Sequence, residues 1–592
     1  MPTESFFTQS SLAYIASAGA GKDGKAYSIK PADGTGDFTF SRGSNLAATR
    51  VGADGLIEKG RENLVTYSNT FSSWTSINST LTSNQAGYDG TNDAWLIEKT
   101  ADAGRIQNNV AAGLATYSVY AKAGSASWLR LLKGANASAY FDLSNSTIGN
   151  LSLTIDATIT SVGNGWYRCT ITYQDQYAGS VRIYPALANN DTTGTSGNIL
   201  IQDAQVEVGL AATEYIESGA TKGTAGILED TPRFDYSNGA SCPSLLLEPS
   251  RTNLISQSEY FGSYINYGSA DTANSTISVE GVNNATLIVG NGTQNQVYTA
   301  SPDISVTSAG LYTLSIFAKK GTNNYFRLYL DGFAGSSNNG AYFDLLNGST
   351  PTSGASIKDY GNGWYKCSIT ATIVSGDLVG KLAFNVTPNT NSVFFSSASE
   401  ANGKNIYIYG ATLEAGSYPT SYIPTYGSGV SRAGESMSKD GLADYIGQST
   451  GTFYIEFELP DPNTNSNAMW TSVEQGSNQG TNRALLYTSA NSDVLKIDIR
   501  ANGSSVGISG AAITNLFADT NYKVAVRYES GNVAVYVNGV SEYTSTSTWT
   551  YSSDLTKFNF NNQSQAFQGK LKQAMLFTSS LSDAECIALT TI

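Results

Sequence analysis

One phrase occurs twice in this chain, and no other feature limits its possible folds as sharply. It reads Gly163-Asn164-Gly165-Trp166-Tyr167-Arg168-Cys169 at the first occurrence and Gly361-Asn362-Gly363-Trp364-Tyr365-Lys366-Cys367 at the second. Asn-Gly takes up positive φ cheaply and marks a tight turn. The residues after it alternate: Tyr167, Cys169 and Ile171 share one face, Trp166, Arg168 and Thr170 the other, and Tyr365, Cys367 and Ile369 repeat the pattern. The phrase predicts a turn entering a half-buried strand, in a domain present twice.

Other phrases recur in the same order. Arg61-Glu62-Asn63-Leu64 matches Arg251-Thr252-Asn253-Leu254, Tyr120-Ala121-Lys122 matches Phe317-Ala318-Lys319, and Trp128-Leu129-Arg130-Leu131 matches Tyr325-Phe326-Arg327-Leu328. Ala139-Tyr140-Phe141-Asp142-Leu143 returns as Ala341-Tyr342-Phe343-Asp344-Leu345, and Ala204–Gly209 as Ala411–Gly416. The offset grows only between phrases, so insertions fall in loops while strands keep their length. Two β-sandwich repeats are expected, over 61–217 and 251–426, each of the jelly-roll kind. A Gly/Ser-rich linker at 218–250 is expected to dock on a domain through Leu245-Leu246-Leu247. Residues 1–60 hold too few apolar side chains for a core of their own, so they read as a segment docking on a neighbour.

Over 427–592 the phrases change. Gly451–Leu459 alternates strongly, and Lys523–Tyr528 and Val533–Val537 form a hairpin followed by the turn Asn538-Gly539. Short apolar runs broken by Gly, Asn and Ser make the whole chain all-β: tandem jelly-roll β-sandwiches followed by a concanavalin A-like β-sandwich. A short capped helix is expected over 582–589.

Composition excludes several functions. The net charge is −14 with no long basic run, which disfavours a nucleic-acid partner. No apolar run is long enough to span a membrane, and the first residues lack the basic start of a signal peptide. Cys169, Cys242, Cys367 and Cys586 fall one to a region, which predicts free, buried thiols in a reducing cytoplasm. The chain contains no histidine. That removes Ser-His-Asp and Cys-His nucleophiles and His-ligated zinc together.

The phrases Phe567-Gln568-Gly569-Lys570-Leu571 and Leu581-Ser582-Asp583-Ala584-Glu585, with the 521–539 hairpin, resemble concanavalin A-like and laminin-G-type sandwiches. A second set comprises Gly36–Arg42, Ala48-Thr49-Arg50, Gly55–Glu58, Pro232-Arg233-Phe234-Asp235-Tyr236 and Cys242–Leu254. It resembles virion proteins of tailed bacteriophages, of head-fibre, tail-fibre and lectin-like kinds. In that family's pattern these phrases run together ahead of one sandwich. Here a sandwich stands between Gly55–Glu58 and Pro232–Tyr236. The resemblance implies a virion-surface component made in the host bacterial cytoplasm. It further implies a homo-oligomer, a trimer if a fibre, that joins other capsid or tail proteins through 1–60.

Candidate sugar-binding residues are Tyr120, Trp128, Arg130 and Trp166, and their counterparts Phe317, Tyr325, Arg327 and Trp364. Strand parity sets them opposite the small apolar side chains, and aromatic rings with polar neighbours suit pyranose C–H faces. The competing reading makes them large core residues, with Trp166 and Trp364 plugging the sandwich ends. Trp470 and Trp549 lie in Ser/Thr/Asn-rich stretches and read as loop aromatics, for a ligand or a partner subunit. Asp461, Asn463 and Asn465 have alternate spacing that suits Ca²⁺, but the rest of a coordination loop is missing. Glu456 and Glu458 share a strand face without the acidic cluster of lectin-fold glucanases. No catalytic residue, metal or cofactor is therefore expected. The expected function is a non-enzymatic phage structural protein whose sandwiches bind cell-surface or mucus glycans. A carboxylate-dependent glycan depolymerase and a secreted adhesin are the alternatives.

Overall fold

The repeated phrase folds as its residues require. Asn164 and Gly165 sit at φ 53° and 78°, Asn362 and Gly363 at 52° and 78°. Two successive left-handed residues make the tight turn whose twist matches that of the flanking strands. The computed structural model describes residues 3–17, 21–43, 46–135, 137–333, 339–464, 466–476, 481–562 and 565–592.

Each repeat is a sandwich of two six-stranded antiparallel sheets. In the first, one sheet runs Asp156–Gly163, Trp166–Asp175, Gly113–Ala123, Asn198–Val208, Ala94–Lys99, Ser79–Gln85. In the second the same order is filled by Ala355–Asp359, Trp364–Ile373, Gly310–Lys320, Asn405–Ala415, Asn283–Gly290, Ser269–Ile277. The central pair even slips register at the same place, between Ser118 and Tyr120 and between Ser315 and Phe317. The opposing sheets are also alike: Trp128–Lys133 lies between Ala137–Asp142 and Gly179–Ala186, and Tyr325–Asp331 between Gly340–Asp344 and Val379–Thr387. Cys169 and Cys367 occupy matching places in the two cores, both buried, whereas Cys242 is exposed, contrary to expectation.

The third sandwich is assembled from distant pieces. Leu12–Ile15 pairs with Gly569–Phe577, setting Leu12 opposite Leu576. Ser244–Leu247 pairs with the same strand, Leu245 opposite Leu571. In the facing ten-stranded sheet Phe38–Ser41 lies against Ser436–Lys439. One core collects Leu12, Tyr14, Phe38, Phe40, Leu245, Leu247 and Met437 with Phe453, Val524, Phe558 and Leu571. The linker docks through Leu245-Leu246-Leu247 as expected. Leu12–Ile15 and Phe38–Ser41 of the expected separate segment 1–60, and Ser244–Leu247 of the linker, are however strands of one sandwich with 427–592, which is therefore not self-contained. The reason is pattern: Leu12/Tyr14 and Phe38/Phe40 present apolar side chains on one strand face, which must be covered. The Asp583–Thr590 helix closes the chain, started by a reciprocal Ser582–Glu585 capping box.

Both repeats are consequently insertions into this base sandwich, the first after residue 41 and the second after residue 247. Each is tied at its root where the incoming strand pairs with the outgoing one, Arg61–Asn63 with Gly223–Ala225 and Arg251–Asn253 with Val430–Arg432. The chain therefore passes four times between the base and its insertions, and a buried charge cluster sits at those passages. Arg233 Nη2 lies 2.6 Å from Glu435 Oε2 and 2.7 Å from Glu248 Oε2. Arg432 Nη1 reaches Glu248 Oε2 at 2.9 Å, and Arg42 Nη1 reaches Glu435 Oε1 at 3.2 Å. All three arginines are fully buried. Charges taken from water are tolerated only with such near-complete pairing.

Candidate functional site

The predicted aromatic residues do not share one face. In the first repeat, Tyr120 and Trp166 belong to one sheet, and Trp128 and Arg130 to the other, on the opposite side of the sandwich. The second repeat divides Phe317 and Trp364 from Tyr325 and Arg327 in the same way.

The first division is interior. Trp166, Trp364 and Phe317 are each 1% exposed. Tyr88 stacks on Tyr120 with ring centroids 3.9 Å apart and covers Trp166. Its hydroxyl donates to Asp203 Oδ2 at 2.9 Å. Burial, with Asp93 and Asp89 nearby, outweighs that bond and pushes Asp203 up to about 7. Ile57, Val279 and Tyr422 cover Phe317 and Trp364, and the Trp364 indole N–H donates to Ile277 O at 3.1 Å. The binding reading of Tyr120, Trp166, Phe317 and Trp364 is corrected here: their rings are packed, and a sugar cannot lie on them.

The second division is open. Trp128 and Arg130 alternate with the buried Leu129 and Leu131, so they project from the outer sheet face and are half-buried. Arg130 stands opposite Tyr140 on one neighbouring strand and Tyr184 on the other. Its guanidinium carbon lies 5.2 Å and 5.5 Å from those ring centroids, within cation–π range. Burial raises the Tyr140 hydroxyl above its ordinary value, and Arg130 holds it back in part. Gly149 leaves room for the indole: a Cβ there would sit 2.7 Å from Trp128 Cζ3.

The second repeat builds the same platform. Tyr325, Arg327 and Tyr329 alternate with buried Phe326, Leu328 and Leu330. The Arg327 guanidinium carbon lies 4.1 Å from the Tyr329 ring and 5.8 Å from that of Tyr342, which stands opposite it. Tyr298 extends the row, its ring 6.4 Å from Tyr329 and its hydroxyl donating to Asp331 Oδ2 at 2.7 Å. Gly340 leaves space beneath, since a Cβ there would lie 2.8 Å from Arg327 Nη2. Reading along the chain singles out the arginines but misses Tyr140, Tyr184, Tyr329 and Tyr342. These reach the site through strand pairing, which sequence spacing does not show.

The remaining candidates fall elsewhere. Trp470 opens a strand, not a loop, is 9% exposed, and carries Arg483 5.3 Å above its ring. Trp549 does lie in a loop, half-buried against the base core beside Tyr551. Asp461 accepts from Asn463 N at 2.9 Å and from the Ser417 hydroxyl, while Asn465 lies outside the described residues. Glu456 accepts from Asn521 Nδ2 at 2.9 Å, and Glu458 lies 3.8 Å from Lys572 Nζ. A cleft of about 270 Å³ separates the second repeat from the base, lined by Lys358, Tyr360, Lys366 and Asp519. Its walls are already joined, Lys358 to Asp519 at 2.8 Å. Burial brings Lys366 down to about 8 despite the attraction of Glu414 and Glu248.

No protein-family model and no curated protein matches this chain. Among solved structures it is similar to a sialidase carbohydrate-binding module, CBM40, of Ruminococcus gnavus with bound α2,3-sialyllactose. That match has 15% identity over 25% of this chain and 84% of the other, with a TM-score of 0.21. The tandem CBM22 domains of Paenibacillus barcinonensis Xyn10C match at 11% identity, over 63% and 98% of the two chains, with a TM-score of 0.19. A mutant Trypanosoma rangeli sialidase with trans-sialidase activity matches at 9% identity, over 87% and 92%, with a TM-score of 0.22. Likenesses this slight carry no argument about function.

Proposed function

We propose that this chain is a non-enzymatic surface protein of a tailed-phage particle and that its two inserted sandwiches bind glycans. One observation carries the glycan reading. An arginine flanked by aromatic rings, beside a half-buried Trp128 or Tyr325, stands on the outer face of the same sheet in both repeats. Rings held in place by packing offer a sugar face a flat surface at little entropic cost. The phage assignment rests on the phrases of the first half, and with it the trimeric assembly of a fibre. Because Leu12–Ile15 and Phe38–Ser41 are strands of the base sandwich, attachment to other particle proteins is assigned to that sandwich and not to a separate segment.

The glycan reading is tested by titrating the full chain with an oligosaccharide panel, beside the double variant Trp128→Ala/Tyr325→Ala. Binding weakened about tenfold or more with unchanged melting supports it. Unaltered binding in the variant, or none in the parent, overturns it. Mass spectrometry of purified particles tests the virion assignment, and sedimentation equilibrium the trimer.

A further inference from the structure

Elsewhere the fold pairs its buried arginines with carboxylates: Arg42, Arg233, Arg432, Arg483 and Arg527 all meet one. The half-buried Arg130 and Arg327 do not. Of the other half-buried arginines without a carboxylate, Arg105 donates to Gln107 and Ala103 O, Arg168 to Ser118 and Arg182 to Ser180. Among the described residues neither the Arg130 nor the Arg327 guanidinium makes a hydrogen bond or an ion pair, and Arg130 Nε is buried without any partner. Only aromatic rings hold them. This occurs at matching positions of both repeats, in a chain with 48 acidic residues available for pairing.

Carboxylates do share these faces, but they are engaged locally. Asp142, opposite Trp128, accepts from Ser144 N at 2.9 Å, Asn145 N at 3.1 Å and Asn145 Nδ2 at 2.9 Å. Asp344, opposite Tyr325, does the same with Leu346 N, Asn347 N and Asn347 Nδ2 at 2.9, 3.2 and 2.7 Å. Asp331 accepts from Tyr298. In the first repeat Arg105 adds a second cation over Tyr184, at 5.5 Å.

Resting on the glycan reading above, we infer that these two sites select sugars bearing a carboxylate, such as uronic or nonulosonic acids. A guanidinium held over rings leaves its two Nη groups for a ligand, and that planar fork matches a planar carboxylate in bidentate fashion. The sugar ring lies on Trp128 or Tyr325 while its carboxylate meets Arg130 or Arg327. The uncharged part of the ligand supplies stacking. The acid supplies the choice between ligands.

The test uses the full chain with oligomers of galacturonic, glucuronic and N-acetylneuraminic acid, each beside its methyl ester. Calorimetry is expected to show at least one acid binding about tenfold or more tighter than its ester. The double variant Arg130→Gln/Arg327→Gln should lose that preference, so that acid and ester bind alike. Arg130→Lys/Arg327→Lys, which keeps the charge without the flat fork, should retain only part of it. Equal affinity for acid and ester overturns the inference and leaves the glycan reading standing. Tighter binding of a sulfated oligosaccharide than of every carboxylated one overturns it as well. Failure of both acids and esters to bind overturns the inference, and the oligosaccharide panel above then decides the glycan reading. Thermal melting of each variant separates lost recognition from lost fold.

Discussion

Asn63 and Asn253, the third residues of the recurring Arg-x-Asn-Leu phrase, perform the same task in their two sandwiches. Asn63 Nδ2 donates to Ala204 O at 3.2 Å and Ile216 O at 2.8 Å, and its Oδ1 accepts from Val65 N and Val206 N. Asn253 donates to Ala411 O and Ile423 O and accepts from Ile255 N and Leu413 N. Glu207 and Glu414 are matched too, each receiving the backbone N–H and hydroxyl of a threonine, Thr213 or Thr420. Asn63→Ala strands four fully buried backbone groups, at about 1–3 kcal/mol for each left unpaired. Urea denaturation should show its sandwich weakened by at least about 3 kcal/mol. Acid should act on Glu248. Burial alone would raise this carboxyl, but Arg432, Arg233 and the Ser421 hydroxyl outweigh it and hold it well below the usual range. Its folded value is depressed, so its contribution is fully present above the unfolded value of about 4.3 and is lost progressively as pH falls from there through the folded value. Glu248→Gln should melt lower than the parent at pH 7, with the gap closing towards pH 3. A gap independent of pH would refute that assignment.

Strands carry most of what is legible in the sequence. Alternation and Asn-Gly turns suffice to place Trp166–Asp175 and Trp364–Ile373 and to show that the two repeats are related. The opposing sides of each sandwich are not legible, because period-two alternation tells which residues share a face of their own strand but not which sheet that strand joins. Trp128 and Trp166 thus group together along the chain although they lie on different sheets. The same blindness to pairing partners makes residues 1–60 read as a docking arm. Leu12 and Tyr14 are both 0% exposed only because Gly569–Phe577 comes to lie beside them. Deleting residues 1–41 removes five large buried side chains, Phe6, Leu12, Tyr14, Phe38 and Phe40, each costing roughly 2–5 kcal/mol when truncated. Near-UV circular dichroism should report a base sandwich that no longer folds. A deletion variant with native spectrum and melting temperature would contradict this pairing.

At the level of the whole chain, two sandwiches hang from a third, and the buried cluster of Arg42, Arg233, Arg432, Glu248 and Glu435 joins all four passages between them. Removing the charge of Glu435 leaves Arg233 short of its closest partner, a change worth about 3–5 kcal/mol in buried pairs. Glu435→Gln should therefore convert a single unfolding transition into separate ones for base and insertions, read by calorimetry. The paired root at Arg61–Asn63 and Gly223–Ala225 makes the first insertion separable in another sense. Replacing it by a short loop should leave the base and the second repeat folded, with two-state melting retained. The split base also sets an order of events during synthesis. Leu12–Ile15 leaves the ribosome long before its partner strand Gly569–Phe577, with both insertions made in between. At about 5–20 residues per second the wait lasts on the order of half a minute to two minutes. Both inserted sandwiches have time to fold in that interval, while the apolar faces of Leu12, Tyr14, Phe38 and Phe40 stand bare and invite a chaperone.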